Sequence, residues 1–304
     1  MRSLTTASSL ASSLTKPIGF AFLLCLLAEI GIAQESQSEK ASSEKSREEE
    51  VRLGSQTAKG GFQNEDEIRD KFNNWQKDSD ARSWLEAMNY RISDIQQVIA
   101  AKPHGEKADV EVRVKTNSTE RVEGISIKLV SNPQGFNQID KRWLKTYVQM
   151  WGIPSDVHSA LKLFLGEIAP TEPGRDSRRM FLNELSKPQQ EAVVDFFRSN
   201  REKIVSDLFE GDGEHSAGWF MVTLKSSDNA PASSEQIELN PRWMLCSTKE
   251  VVTFFGSGEV QITPSGSLKI GRVTMQRKGG DNGRESAKML QFKINPTELF
   301  ELRK

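Results

Sequence analysis

Two short segments alternate apolar and polar residues and carry acidic and basic side chains that could act together. In KADVEVRVK, valines alternate with polar residues, which predicts a half-buried strand with Asp109 and Glu111 on its polar face. GISIKLV alternates in the same way and puts Ser126 and Lys128 on one face. Pairing the two strands as an antiparallel hairpin brings Asp109 close to Ser126 and Lys128. The hairpin therefore predicts a carboxylate beside a lysine.

A carboxylate next to a lysine suits metal-dependent hydrolysis of a phosphodiester. Asp109 would hold a divalent cation beside the scissile phosphate, while Lys128 would orient the attacking water and offset the developing negative charge. The alternative is structural, because a lysine on an edge strand can extend its amine into solvent. The hairpin by itself leaves both interpretations open.

The composition limits the metal and the class of function. The 304 residues carry a formal net charge of −1, so no global positive charge marks a polyanion partner. The two cysteines, Cys25 and Cys246, stand far apart, and the three histidines show no zinc-binding spacing. A metal would need oxygen ligands, which favours Mg²⁺. No GxSxG motif or Cys/His arrangement indicates a nucleophilic hydrolase.

Two segments have side chains suited to DNA. GFNQIDKRW follows the lysine strand directly, and its amides and cations match base edges and phosphates, while Phe136 could wedge between base steps. Residues 269–293 hold seven Lys and Arg against Asp281 and Glu285, a net charge of +5. Glycines in this segment would let the backbone approach a phosphodiester chain. A solvated charged face is the alternative interpretation.

The remaining periodicities predict an α/β fold in which helices flank a mixed central sheet. Ile68, Phe72 and Trp75 mark one face of an amphipathic helix, with Asn64 as its N-cap. Further helices are predicted in DARSWLEAM, SDIQQVIAA, IDKRWLKTYVQMW, SDVHSALKLFL, KPQQEAVVDFFRSN and REKIVSDLF. Strands are predicted in WFMVTLK, EVQITP, SLKIGRVTM and MLQFKIN. Trp84, Trp151 and Trp219 are assigned to the core.

The start of the chain differs in character from the rest. Residues 1–33 resemble a signal peptide, with a short apolar run and a small-x-small site at Gly31 to Ala33. Residues 34–50 form a charged, low-complexity tract that predicts disorder. Residues 51–304 are predicted to form one domain. The apolar run is too short to predict a membrane span, and no membrane partner is expected.

The chain resembles type II restriction endonucleases of the HinP type, which recognise the duplex tetranucleotide GCGC. The similarity runs from about Val51 to the C-terminus and rests on several long motifs: GSQTAKGGFQNE, KFNNW, KADVEV, IKLVSNPQGFNQIDKRW, RRMF and GRVTMQRKGGDNGRESAKMLQFKINPTELF. The resemblance implies the restriction-endonuclease-like PD-(D/E)xK fold and Mg²⁺-dependent hydrolysis of both strands of double-stranded DNA. It also implies a companion DNA methyltransferase and a cytoplasmic location.

Roles for individual residues follow from the same resemblance. Asp109 and Lys128 match the catalytic Asp and Lys of the family. The DNA-binding positions fall in a DNA-facing loop and in a second basic segment: Phe136, Asn137, Gln138, Asp140 and Lys141, then Gln276, Arg277 and Lys278. Cutting both strands requires a homodimer or two successive encounters with the DNA.

The chain departs from the family at Ser126, where the HinP type has glutamine and most relatives an acidic residue. A hydroxyl is a weak metal ligand, so the metal would depend on Asp109 and the carbonyl at Ile127, with Glu111 or Glu65 as a further ligand. A descendant that binds DNA without cutting it is therefore a second hypothesis. Metal-dependent cleavage distinguishes the two hypotheses.

A second motif could hold the metal instead. Gln291 and Lys293 repeat the Q-x-K spacing, with Asp281 ten residues earlier, but Asp281 lies between glycines in a predicted loop. We therefore favour the first hairpin, and we expect Lys293 to reach DNA phosphate from a core strand. The pair Arg178 and Arg179 fits phosphate contacts or surface charges equally well.

The signal-like start of the chain leaves a second location open. If residues 1–33 direct export, the protein is a secreted DNase, or a secreted structural domain that does not bind DNA. DNA binding at low salt distinguishes these two secreted forms, because a structural domain would show none.

Overall fold

The computed structural model describes residues 56, 59–103, 105–131, 134–172, 174–211, 216–225, 243–279 and 284–303. The chain divides into a unit that ends at Lys59 and a unit from Gly60 to Lys304, and the fold below belongs to the second. The predicted segments 1–33 and 34–50 lie outside the described residues. None of the helices formed by the described residues is long and apolar enough to cross a bilayer.

Ten strands in the described residues form two five-stranded sheets. The strands are β1 (Ile95–Ala101), β2 (Val110–Thr116), β3 (Glu120–Val130), β4 (Asn137–Arg142), β5 (Trp219–Leu224), β6 (Trp243–Ser247), β7 (Val260–Ile262), β8 (Leu268–Ile270), β9 (Val273–Arg277) and β10 (Leu290–Ile294). The first sheet has the order β1-β2-β3-β5-β6 and is mixed, because β3 and β5 are parallel. The second sheet has the order β4-β10-β9-β8-β7 and is antiparallel throughout.

Seven α-helices in the described residues surround these sheets. They are α1 (residues 60–73), α2 (Ser79–Ala87), α3 (Leu144–Trp151), α4 (Ser155–Leu165), α5 (Lys187–Ser199), α6 (Arg201–Glu210) and α7 (Thr248–Gly256). Local sequence sets several helix ends. Ser247 and Glu250 form a reciprocal capping box at the start of α7, and Gly166 ends α4 in the left-handed conformation. The predicted fold class, a mixed sheet flanked by helices, is confirmed.

The two faces of the first sheet pack into different hydrophobic cores. Ile125 and Ile127 of β3 point into the smaller core, which also takes the buried faces of α1 and α2. Val130 of β3 belongs to the larger core, which joins the central helices to the second sheet. Because side chains alternate along a strand, Ser126 and Lys128 lie on the Val130 side. The strand thus carries Ile125 and Ile127 on one face, and Ser126, Lys128 and the buried Val130 on the other.

Three predicted elements are corrected by the structure. The segment SDIQQVIAA forms strand β1 instead of a helix, because Val98 and Ala100 are buried and the strand pairs antiparallel with β2. Asn64 lies inside α1 and does not cap it; it is 1% exposed and donates a side-chain hydrogen bond to Thr223 Oγ1. Residues 137–142, expected as part of a helix and as a DNA-facing loop, pair with β10 as strand β4, and α3 begins at Leu144.

Candidate active site

Asp109 immediately precedes Val110, the first residue of β2, and β3 continues past this point. Its backbone N–H donates to the carbonyl of Ile125 at 2.8 Å. Its side-chain Oδ2 accepts a hydrogen bond from the N–H of Ile127 at 2.6 Å and another from the hydroxyl of Ser126 at 3.3 Å. The backbone bond ties Asp109 to β3, and the two bonds to Oδ2 fix the orientation of the carboxylate. The structure brings the hairpin residues together as the alternating pattern predicts.

Lys128 and the carbonyl of Ile127 complete the group. The N–H and C=O of one residue in an extended strand point to the same side, so the Ile127 carbonyl also projects past the end of β2. The ammonium of Lys128 donates to this carbonyl at 2.9 Å and lies 3.5 Å from Oδ2 of Asp109. Its side chain is 18% exposed. A cationic group thus already lies between the carboxylate and carbonyl oxygens proposed as metal ligands.

Ser126 is buried, with 3% of its surface exposed, and its hydroxyl is directed at Asp109. This geometry gives it a positioning role: it donates to the carboxylate. Of the two carboxylates considered as further metal ligands, Glu111 does not line the cleft; it pairs with Gly124 farther along the hairpin.

Glu65 of α1 lies within electrostatic range of the site but is paired elsewhere. Its carboxylate contacts the ammonium of Lys102 at 3.0 Å. Burial raises the pKa of Glu65, the hydrogen bond from Lys102 opposes this, and the charge of Asp109 raises it further. The charges of Glu65 and Asp109 therefore interact, while the Glu65 carboxylate itself is held by Lys102.

A polar cleft of about 390 Å³ opens in front of these groups. Strand β4 forms its opposite wall with Gln138, Lys141 and Arg142, so residues predicted from two separate segments face one space. The other lining residues come mainly from the turn before β2 and the end of α6: Gly105, Glu106, Lys107, Asp109, Ser126, Lys128, Ile139, Asp140 and Gly211.

Lys107 is a residue of this cleft that the sequence patterns did not single out. Its ammonium donates to the backbone carbonyls of Ile139 in β4, at 2.9 Å, and of Leu208 in α6. Burial lowers the pKa of Lys107 to about 8, against the opposing effect of the Asp140 carboxylate. The lysine thus joins the loop before β2 to the opposite wall of the cleft. A lysine in a polar stretch has no sequence signal for burial, and only the tertiary contacts reveal it.

The predicted DNA-binding residues around β4 divide into exposed and structural ones. Phe136 is 55% exposed in the loop before the strand. Asn137 donates its amide to the carbonyl of Leu129 at 3.1 Å and so ties β4 to β3. Asp140 is bound by the guanidinium of Arg142 at 3.1 Å and by the hydroxyl of Tyr147. Asp140 therefore supports the wall of the cleft, while Phe136 is exposed to contact a ligand.

One face of the second sheet carries amides and lysines in register. Lys141 lies opposite Gln291, which lies opposite Gln276, so the three share a face across β4, β10 and β9. Gln138 and Lys293 form a second row. Phe292 points to the other face and into the larger core. The Q-x-K motif of β10 thus belongs to this polar face, and Asp281, its predicted partner, lies outside the described residues.

The last two predicted DNA-binding residues, Arg277 and Lys278, lie at the end of β9. Arg277 is its final residue, and its Nε donates to the carbonyl of Leu165 at 2.9 Å. The backbone N–H of Lys278 donates to the carbonyl of Met289 at 2.8 Å, which closes the loop between β9 and β10. Arg277 is thus directed away from the row of glutamines, toward the end of α4.

The oxygen donors at Asp109 fit a magnesium ion that takes its remaining ligands from water and from the substrate phosphate. No cluster of three or more His, Cys, Asp or Glu side chains that could hold a metal occurs within the described parts of the chain. Mg²⁺ is commonly held by one or two carboxylates together with waters and substrate phosphates. One carboxylate, one backbone carbonyl and an open polar cleft meet that requirement, and the Lys128 ammonium between the two oxygens shows that they attract a cation.

Comparisons with known proteins identify similar proteins among the restriction endonucleases. A model of the R.HinP1I restriction endonuclease family matches residues 88–300. The solved structure of restriction endonuclease MspI in complex with its cognate DNA matches with a TM-score of 0.55 and 14% sequence identity, over 80% of this chain and 92% of that chain. No curated protein matches the chain.

The family match contains the hairpin, β4 and the second sheet, while Glu65 lies before it. At 14% identity, the likeness to MspI shows the fold, and the family match extends over more than half of the chain. The chain belongs to the R.HinP1I restriction endonuclease family.

Proposed function

We propose that the protein is a Mg²⁺-dependent endonuclease that hydrolyses double-stranded DNA at a short palindrome, GCGC. The observation that carries this proposal is the group formed by Asp109, the Ile127 carbonyl and Lys128 at the rim of a polar cleft. Family membership supports the reaction class. The tetranucleotide comes from the resemblance to the HinP type, and base contacts can change within one fold.

The residues of the hairpin would divide the chemistry between them. Asp109 and the Ile127 carbonyl would hold Mg²⁺, which supplies a Lewis acid at the scissile phosphate. Lys128 would orient the attacking water and offset the negative charge that develops on the phosphate. Ser126 and the N–H of Ile127 would keep the Asp109 carboxylate in one orientation through the reaction.

The polar face of the second sheet is the proposed surface for reading the DNA. Glutamine amides pair with adenine edges and lysine contacts guanine or phosphate, so Gln138, Lys141 and Gln276 are suited to base and backbone contacts. Phe136, exposed beside the cleft, would insert between base steps. Gln291 is 4% exposed between Lys141 and Gln276 and would fix the spacing of the row.

Cleavage of a plasmid with mapped GCGC sites tests the proposal. Residues 51–304 with Mg²⁺ should yield discrete fragments that end at GCGC, and both EDTA and Lys128→Ala should abolish them. We expect Lys128→Ala to reduce cleavage at least about 100-fold, because it removes both the water-orienting and charge-stabilising group. Duplex binding by this variant should persist.

The remaining outcomes of this experiment separate the competing hypotheses. Discrete fragments at another sequence would keep the mechanism and reject GCGC. Tight duplex binding without cleavage by the wild type would instead support the second hypothesis, a DNA-binding descendant impaired at Ser126. This second function is favoured by the resemblance, in which Ser126 stands where the HinP type has glutamine and most relatives an acidic residue, and by the burial of Ser126 against Asp109.

A restriction enzyme also needs a setting in which it meets foreign DNA. We propose a cytoplasmic protein whose domain comprises residues 51–304, with a companion methyltransferase that protects host sites. Residues 1–50 would then be an extension ahead of the working protein. Mass spectrometry of the native N-terminus checks this: a first residue near Val51 supports it, while Gln34 would indicate an exported DNase.

A further inference from the structure

Strand β4 contains one residue more than its pairing with β10 requires. Phe292 of β10 pairs with Asp140, and the next residue of β10, Lys293, pairs with Gln138. Ile139 therefore has no residue opposite it on β10, which makes it the extra residue of a β-bulge. The bulge lies in the wall of the cleft, because all three of these β4 residues line that cleft.

This bulge decides which side chains of β4 share a face. Gln138 and Lys141 are three residues apart, and in an unbroken strand an odd separation puts two side chains on opposite faces. Their partners on β10, Lys293 and Gln291, are two residues apart and share one face, and paired residues lie on the same face. The extra residue thus brings Gln138 and Lys141 together on the polar face of the second sheet.

The two residues between them lie toward the core. Ile139 is buried and belongs to the larger core. The carboxylate of Asp140 accepts a hydrogen bond from the hydroxyl of Tyr147, a residue of the same core. Two consecutive residues on one side of a strand fit a bulge and do not fit regular alternation.

The carbonyl of Ile139 takes its hydrogen bond from outside the sheet. The ammonium of Lys107 donates to it at 2.9 Å. A buried carbonyl without a partner is costly, and a charged donor gives a stronger bond than a neutral one. Lys107 therefore stabilises the backbone at the position where β4 departs from regular pairing.

Lys107 is itself held from two sides. Its ammonium also donates to the carbonyl of Leu208 in α6, a residue that is 1% exposed. Gly211, just after α6, lies beside the stem of the lysine, and a methyl group there would come within 2.6 Å of the Lys107 Cβ and 2.8 Å of its Cγ. The glycine thus leaves the room that the lysine stem needs to reach β4.

We propose that Lys107 is a positioning residue that holds the bulge at Ile139 and thereby keeps Gln138 and Lys141 on one face. The use of that face to read base pairs rests on the proposed function. Without the ammonium, the carbonyl of Ile139 loses its donor. A slip of one residue in the pairing of β4 turns side chains to the other face, so Gln138 would leave the cleft.

The first arm of the test measures amide hydrogen exchange, without DNA, in Lys107→Met. Methionine keeps an unbranched stem beside Gly211 and removes the donors. Peptides that cover β4 should exchange about tenfold faster than in the wild type, because a charged hydrogen bond is lost, while peptides that cover β1 should not change. Lys107→Arg keeps a charged donor and should restore part of the protection.

A matched control removes a different ammonium from the neighbourhood of α6. Lys203 bonds to Asp207 on the same helix at 2.6 Å. Lys203→Met should leave the exchange of β4 as in the wild type. Thermal unfolding of each variant shows that it is folded under the conditions of the exchange measurement.

The second arm measures discrimination between DNA sequences. Fluorescence anisotropy, with Ca²⁺ in place of Mg²⁺, compares a duplex containing GCGC with duplexes altered at one base pair of that site. The ratio of affinities should fall about tenfold in Lys107→Met, through weaker binding of the GCGC duplex, because base contacts carry the specificity and phosphate contacts do not. A general loss of stability would lower the unfolding temperature and leave this ratio unchanged, as would Lys203→Met.

The outcomes separate this proposal from the proposed function. Unchanged exchange of β4 in folded Lys107→Met overturns the proposal, and faster exchange with an unchanged affinity ratio rejects its consequence for base reading. If Lys107→Met does not fold, Gly211→Ala, which crowds the lysine stem, takes its place and should speed the exchange of β4; unchanged exchange there overturns the proposal equally. A wild type that does not distinguish the duplexes contradicts the proposed function, while the exchange arm still decides whether Lys107 holds the bulge.

Discussion

The Asp109 carboxylate depends on neighbours that hold it in one orientation while leaving one oxygen for a cation. Oδ2 receives the N–H of Ile127 and the hydroxyl of Ser126, and the Lys128 ammonium lies 3.5 Å away. Without these donors the carboxylate would be free to change its orientation. The serine thus contributes to the site by supporting Asp109.

Replacing Ser126 with alanine should weaken the site without abolishing it. Ser126→Ala removes a 3.3 Å hydrogen bond and leaves the stronger bond from Ile127 N–H in place. The expected loss of stability is about 1 kcal/mol, and cleavage should fall by about tenfold or less. Single-turnover cleavage and thermal unfolding measure the two effects.

The matched control for that variant is Ser83→Ala, which removes a hydroxyl bonded only to the carbonyl of Ser79 on the surface of α2. It should cleave like the wild type. If Ser126→Ala were as inactive as Lys128→Ala, the hydroxyl would act directly on the metal or the substrate, and the positioning role would be wrong.

At the residue scale, the sequence predicts that Asp109 and Lys128 lie together, but it does not predict the contacts of Lys107. Alternation puts Asp109 and Lys128 in phase from local sequence alone, because the side-chain period of a strand is two. Lys107 is two residues before Asp109, but its partners are carbonyls on β4 and α6, more than thirty and one hundred residues away. Such contacts arise only from tertiary packing, so they leave no local pattern.

At the scale of elements, the segment around Phe181 is held by the carboxylate of Glu184. Glu184 closes a 3-10 turn, Leu182–Glu184, onto Phe181 and binds Arg175. Burial acts to raise the pKa of Glu184, but the bonds from Phe181 and Arg175 outweigh it, and the pKa lies below its ordinary value of 4.5. The ionised carboxylate therefore stabilises the folded segment.

Glu184→Gln should lower stability in a pH-dependent way. Because the folded pKa is lowered, the unfolded chain binds more protons, and the stabilising effect is complete above pH 4.5 and lost as the pH falls through the folded pKa. The variant should be less stable than the wild type by about 1 kcal/mol at pH 7, and the two should converge in acid. Thermal unfolding across pH measures this. Glu191→Gln, an exposed residue of α5, is the control and should differ little at any pH.

Helices were easier to predict than the strands that border the cleft. The faces of α4, α5 and α6 follow helical spacing and appear where the sequence places them. The sequence pattern predicts helices where β1 and most of β4 lie. This prediction is wrong because Ile95–Ala101 and Asn137–Arg142 are short and their burial is set by partner strands. Strand β6 and helix α7 were not predicted. These segments form strands because they pair with segments distant in the sequence, and such pairing leaves no trace in the local pattern.

At the scale of the whole molecule, two sheets with different tasks meet at one cleft. The mixed sheet supplies Asp109 and Lys128, and the antiparallel sheet supplies the polar face that begins with Gln138 and Lys141. The larger core contains residues of both sheets, so the proposed catalytic and recognition surfaces share one packed interior. This arrangement explains why a polar face can be presented without a separate binding domain.

The described parts of one chain contain one such cleft. A palindromic duplex has two scissile phosphates, one on each antiparallel strand. The second cut then requires a second copy or a second encounter. With enzyme below the concentration of sites, supercoiled plasmid should pass through a nicked circle before it becomes linear, and excess enzyme should suppress the nicked form. A time course on agarose gels measures both. Direct conversion to linear DNA at limiting enzyme would instead require a dimer assembled before it meets DNA, with two clefts that act in one encounter.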